Sequence, residues 1–154
     1  MSAAYRHTQV GHGFLAVTAV VGTVSALAAA RSPGSAGPWL GIGIAAACAV
    51  LFSSLTVTVD GERLAWRFGA GLIRGSVDLR QVVDFRPVRN SPLHGWGIRR
   101  FPDGRIYNVS GLDAVEVLLH GGRRIRLGTD QPQELVRALR ARTTSVAAAP
   151  MPDA

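Results

Sequence analysis

The spacing of apolar positions along this chain changes sharply at Leu55. From Gly13 to Ala30, and again from Pro38 to Leu55, no residue is charged, and neither run shows a polar face at helical period. Each run is about 18 residues, or roughly 27 Å of helix, enough to cross a thin bilayer core. The turn between them, RSPGSAG (Arg31 to Gly37), holds one Arg and a proline. Ala, Gly, Ser and Thr abound in both runs, which suits two helices packed closely as a hairpin (13–30 and 38–55). Beyond Leu55 the period becomes two. Val57 and Val59 alternate with Thr56 and Thr58, an Asp60-Gly61 turn follows, and Leu64, Trp66 and Phe68 alternate with Arg63, Ala65 and Arg67. This predicts a buried helix passing straight into a β-hairpin through a short, stiff joint.

Further strands are expected at Leu72 to Leu79, Val82 to Val88, Gly97 to Phe101, Arg105 to Val109, Ala114 to Leu119 and Arg123 to Leu127. Asp103-Gly104 and Gly121-Gly122 supply hairpin turns. Short strands with a turn signal every 8–12 residues are the spacing of a sandwich or barrel. Thr129-Asp130 before Gln131-Pro132 predicts an N-cap, and Leu135, Val136 and Leu139 give an apolar stripe on a helix over 131–142. The chain thus divides into a polar tail (1–12), the apolar hairpin (13–55), a β domain with its helix (56–142), and an Ala/Pro-rich tail (143–154) expected to be disordered.

Composition adds a sign. Apolar residues make up 47% of the 154, and the excess lies before residue 56. The formal charge is +7, and all 17 basic residues are Arg. Between Thr56 and Arg142 there are 15 Arg against 9 Asp and Glu. Such a balance points to an anionic partner: lipid headgroups, an acidic protein or nucleic acid. A tethered domain with 6% aromatics and no reader motif argues against nucleic acid. More Arg lies near the ends of the hairpin (Arg6, Arg63, Arg67, Arg74) than at its turn (Arg31), so both termini are expected in the cytoplasm of a multi-pass protein of the cytoplasmic membrane. A rival reading takes the first run as a signal peptide, cleaved near Ala26-Leu27-Ala28. The length of that run and the second span so soon after it favour the anchor.

Candidate chemistry is sparse. His7, His12, His94 and His120 have no partner at metal-ligand spacing, and Cys48 lies within an apolar run. Ser110-Gly111 is not a nucleophile elbow. Asp113 and Glu116, three apart in a strand, point to opposite faces. No catalytic residue, cofactor or metal is therefore expected. The Arg residues are the loaded set. Arg86, Arg89, Arg99 and Arg100 flank the loop ending at Trp96, and Arg123, Arg124 and Arg126 form a second group. The bland alternative for each is a solvated strand face. The functional one is a basic patch on anionic headgroups, with Trp96 as interfacial ring and about 1 kcal/mol from each Arg.

The segments GWGIR (Gly95 to Arg99), YNVSGLDAVEV (Tyr107 to Val117) and GRRIRLGTDQPQEL (Gly122 to Leu135) resemble those of bacterial two-span membrane proteins with a pleckstrin-homology-like (PH-like) domain. The resemblance covers most of Thr56 to Arg142. It implies an all-β bent sandwich or partly open barrel of about seven or eight antiparallel strands, with one C-terminal helix plugging an end. It implies no catalytic residue. No phosphoinositide site transfers with it, because the first hairpin loop has no Lys cluster. The expected function is a non-enzymatic module held at the membrane surface, contacting anionic phospholipid headgroups or a membrane protein partner. The alternatives are a small subunit of a larger membrane complex and, further off, a membrane enzyme.

Overall fold

The computed structural model describes residues 5–91 and 95–147, with side chains as far as residue 144. Two helices, two β-sheets and a third helix follow from the sequence pattern, with one addition at the start. The first twelve residues, expected as a polar tail, contain a strand, β1 (Tyr5–Val10). It pairs antiparallel with β2 (Ser54–Asp60), from Tyr5 opposite Val59 to Val10 opposite Ser54. Its inward positions are Tyr5, His7 and Gln9, amphipathic residues that conceal the alternation, and its partner lies 44 positions on. Thr8 and Thr56 share a hydroxyl hydrogen bond of 2.9 Å, and His7 Nε2 lies 2.5 Å from Asp130 Oδ1.

Between these two strands stand α1 (His12–Arg31) and α2 (Ala36–Phe52). They pack on each other through small residues: Ala29 and Ala45 are buried, and Gly41 lies against Ser25. Elsewhere they are exposed and apolar all round, with Val20 63% and Leu40 65% exposed. At 20 residues α1 is long and apolar enough to cross a membrane; α2, at 17, is shorter. The second apolar run therefore overshoots its helix. Ser53 alone separates α2 from β2, and Leu55 is a core residue of the sheet. Gly11 N–H donates to Ser53 O at 2.8 Å, closing the root of the hairpin.

β3 (Arg63–Phe68) and β4 (Arg74–Asp78) complete a four-stranded sheet ordered β1-β2-β3-β4. A 3-10 turn (Leu79–Gln81) leads to β5 (Val82–Arg89), and β6 (Gly97–Phe101), β7 (Gly104–Asn108), β8 (Asp113–Leu119) and β9 (Arg124–Gly128) follow. The second sheet runs β5-β8-β9-β7-β6. Among the described residues nine strands replace the expected seven or eight, and one pair departs from the antiparallel rule: β7 and β9 are parallel, Gly104 opposite Arg124 through Tyr107 opposite Leu127. Two hairpins, β6–β7 and β8–β9, meet side by side there, and a contact between hairpins leaves no turn signal in the sequence. The sheets do not close into one barrel.

Their inner faces make one core, from Val57, Val59, Leu64, Trp66 and Phe68 on one side to Val115, Val117, Leu119, Ile125 and Leu127 on the other. The C-terminal helix α3 (Pro132–Ala147) packs Leu135 and Leu139, both fully buried, against β5, β8 and the 3-10 turn. Just before the helix, Thr129 Oγ1 accepts from Gln131 N–H at 3.1 Å, a turn that leads into the first helical residue, Pro132. The helix was expected to end at residue 142 and continues to Ala147; the rest of the expected disordered tail, 148–154, lies outside the described residues.

Candidate functional site

The edge strands β4 and β6 face each other across a gap between the two sheets. The gap opens into a cleft of about 740 Å³. Its floor is aromatic because Trp66 on β3 and Tyr107 on β7 point inward from opposite sheets, with ring centroids 5.0 Å apart. Trp66 reaches this place because its cross-strand partner is Gly75. A Cβ there would lie 2.5 Å from Trp66 Cζ2. The indole is 5% exposed, and its N–H has no hydrogen-bond partner among the described residues. The aromatic packing continues from Tyr107 to Phe68, then to Phe52 at the end of α2 and Phe14 at the start of α1.

The walls are basic. Arg74 stands on β4, Arg100 on β6 and Arg105 on β7, while Arg123 lies where the β8–β9 turn enters β9. Asp103 is the one carboxylate on the lining among the described residues. Arg100 and Arg105 are direct cross-strand partners. Like charges so placed repel, and none of these four guanidiniums has an ion-pair partner among the described residues. The concentration of positive charge over an aromatic floor suits a bound anion.

The structure redistributes the eight residues singled out from the sequence. Arg100 and Arg123, from two separate sequence groups, come together in the cleft, whereas Arg124 shares the outer face of β9 with Arg126. Arg86 and Arg126 are not in the cleft; both are held by Glu116 on the outer face of the second sheet. Glu116 is 4% exposed and accepts from Arg86 Nη2 and from Arg126 Nε, each at 2.8 Å. Burial alone would raise its carboxyl pKa, but the hydrogen bonds and charges of Arg126 and Arg86 outweigh it and hold the group below the usual carboxylate range. The Arg126 guanidinium also lies 4.8 Å from the centre of the Phe101 ring, which lines the cleft. Glu116 and Arg126 thus brace the cleft wall from behind.

Trp96 lies instead at the root of the hairpin, its ring against Gly13 of α1. Arg89, exposed at the end of β5, and Arg99, exposed on β6, remain outside the cleft. His94 lies outside the described residues. The single patch expected around Trp96 is thus divided among the cleft, the outer face and the hairpin root.

Four cleft residues were not singled out from the sequence: Arg74, Arg105, Trp66 and Tyr107. Only the pairing of β6 with β7 could have marked Arg105: the connection is Pro102-Asp103, one residue before the expected Asp103-Gly104, and this sets Arg105 opposite Arg100. Among the described residues no three of His, Cys, Asp and Glu are grouped to hold a metal ion. A scan of protein-family models gave no match to the chain, and a search of curated proteins found no relative.

Proposed function

We propose that the chain is an integral protein of the cytoplasmic membrane whose helical hairpin anchors a PH-like β module, and that the module receives an anionic partner in its Arg-lined cleft. The hairpin is inserted between two paired strands, so the chain leaves and re-enters the β module at one point, Gly11 and Ser53. That closure supports an anchor over a cleaved leader, since cleavage would strip β1 from its sheet. The apolar outer surfaces of α1 and α2 then meet lipid, and Trp96 at the foot of α1 occupies the interface.

The observation that carries the binding role is the cluster of four guanidiniums, those of Arg74, Arg100, Arg105 and Arg123, without ion-pair partners among the described residues, around one carboxylate. At about 4 Å and an effective dielectric near 20, each can attract an anion by roughly 4 kcal/mol before desolvation is subtracted. The bilayer carrying the anchor is a poor occupant. Headgroups present a plane, whereas Arg100 and Arg105 look into a concave space. Along β7, moreover, the cleft end at Gly104 is about 13 Å from Asn108, near the hairpin root, farther than a screening length of about 8 Å. A soluble anion or an acidic segment of a protein fits the geometry better.

The test uses the full chain in nanodiscs of neutral phosphatidylcholine. Tripolyphosphate should bind in a salt-dependent manner, and Arg100→Ser with Arg105→Ser should weaken it roughly tenfold or more. Unchanged affinity in a variant that still melts cooperatively would remove the cleft from the reading. Vesicles of phosphatidylglycerol that compete as well as free anion would return the site to headgroups.

A further inference from the structure

The two walls of the cleft are not ordinary surface. Among the described residues β4 pairs only with β3 and β6 only with β7, so each has a free edge, and Arg74 to Ser76 and Arg100 with Phe101 bring the two strands to the cleft. A free edge carries a row of unpaired backbone N–H and C=O groups, and a soluble protein normally blunts or covers it. Here neither strand contains proline, and β4 carries Gly75 at its second position, where another backbone can come close. The size agrees with that. One residue of a strand between two layers fills a cell of roughly 4.8 by 3.3 by 10 Å, or about 160 Å³. A cleft of about 740 Å³ holds between four and five such residues, and Arg74, Gly75 and Ser76 of β4 and Arg100 and Phe101 of β6 line it.

We propose that the occupant is an extended acidic segment of a partner protein, which adds as a strand along the free edge between β4 and β6. Its backbone pairs with that edge, and alternate carboxylates reach Arg100, Arg105 and Arg123. This rests on the cleft being an anion receptor and names what it receives. Charge selects an acidic sequence, because the lining offers the guanidiniums of Arg74, Arg100, Arg105 and Arg123 against the single carboxylate of Asp103 among the described residues. That edge selects an extended backbone, because a compact anion would leave its row of amides unpaired. The same strand would cover the buried Trp66 N–H and Gly75 from the open side. Strand addition of this kind draws affinity from the main chain and specificity from alternate side chains.

Backbone pairing can be separated from charge without altering the protein. A labelled peptide of alternating Glu and Val is titrated into the full chain in neutral nanodiscs. Two N-methylated forms are then compared, one blocked at the Glu amides and one at the Val amides. In an added strand only alternate amides face the pairing edge, so one form should lose binding by roughly tenfold or more while the other binds as the parent does. Arg100→Lys with Arg105→Lys should retain most of the affinity, and the Ser pair should lose it. Equal binding of both methylated forms, with Arg dependence intact, would overturn strand addition and leave a simple anion cleft. Binding of tripolyphosphate but not of the peptide would do the same. Failure of both ligands would overturn the anion receptor itself.

Discussion

Glu116 organises the outer face of the second sheet. Its carboxylate is nearly buried, yet it holds two arginines from strands on either side, Arg86 on β5 and Arg126 on β9. Glu116→Gln would keep the shape and leave both guanidiniums facing a neutral amide, at a cost of about 2 kcal/mol. Thermal unfolding of the detergent-solubilised chain, followed by circular dichroism, measures it. The pH dependence has a definite sign. Because the folded group titrates below its ordinary value of 4.5, its contribution is present above that range and is lost as the pH falls through the depressed value. The wild type should therefore lose stability below pH 4.5 more steeply than Glu116→Gln. Parallel acid limbs would show that the pair adds nothing. That Asp113 and Glu116 occupy opposite faces was legible from an odd separation in a strand. That Glu116 sits under two arginines was not, because each partner comes from a different turn of the chain.

At the scale of elements, what is local in sequence was legible and what is distant was not. The β2–β3 hairpin follows from Asp60-Gly61 between two alternating runs, and α3 from its apolar stripe. β6 was expected with the bounds it has, and β8 and β9 within a residue. The parallel β7–β9 pair and β1 were missed because each depends on a partner beyond the nearest turn. The position of β1 has a practical result. Val10 and Ser54 are the last paired residues of an antiparallel pair, so the whole hairpin occupies the place of a β-turn. Replacing residues 11–53 by Asn-Gly should give a water-soluble β module that unfolds cooperatively, since that dipeptide suits a two-residue connection. Losing Phe52 from its contact with Phe68 should cost about 2 kcal/mol. A far-ultraviolet spectrum without strand signal, or a protein that stays insoluble, would show that the helices are needed for the sheet to form. A fragment starting at Thr56 is a poorer choice, because it uncovers the edge of β2 that β1 protects.

For the whole molecule, the excess of Arg in residues 56–142 was legible but the placement of each Arg was not, and single positions were bound to mislead. Arg86 and Arg126 look like free surface charges until the sheet brings Glu116 between them. Arg74 looks like linker charge until β4 brings it to the cleft. Orientation in the membrane can be checked independently of binding. Alkaline phosphatase fused after residue 154 should be inactive, as expected of a cytoplasmic C-terminus, and an active fusion would reverse the orientation.

The clasp between β1 and β2 also has a consequence for biosynthesis. β1 leaves the ribosome first and must wait, unpaired, until both helices and Ser54 have been made. Only an even number of crossings between Val10 and Ser54 returns the two strands to the same side. If α1 alone were threaded through, β1 and β2 would face each other across the bilayer and the four-stranded sheet would lack its edge. If the hairpin inserts as proposed, completion of the sheet is conditional on correct insertion, and a mis-threaded chain would expose the unpaired edge of β2 to cellular proteolysis. On that proposal the β module can serve as the proofreader of the chain's own membrane topology.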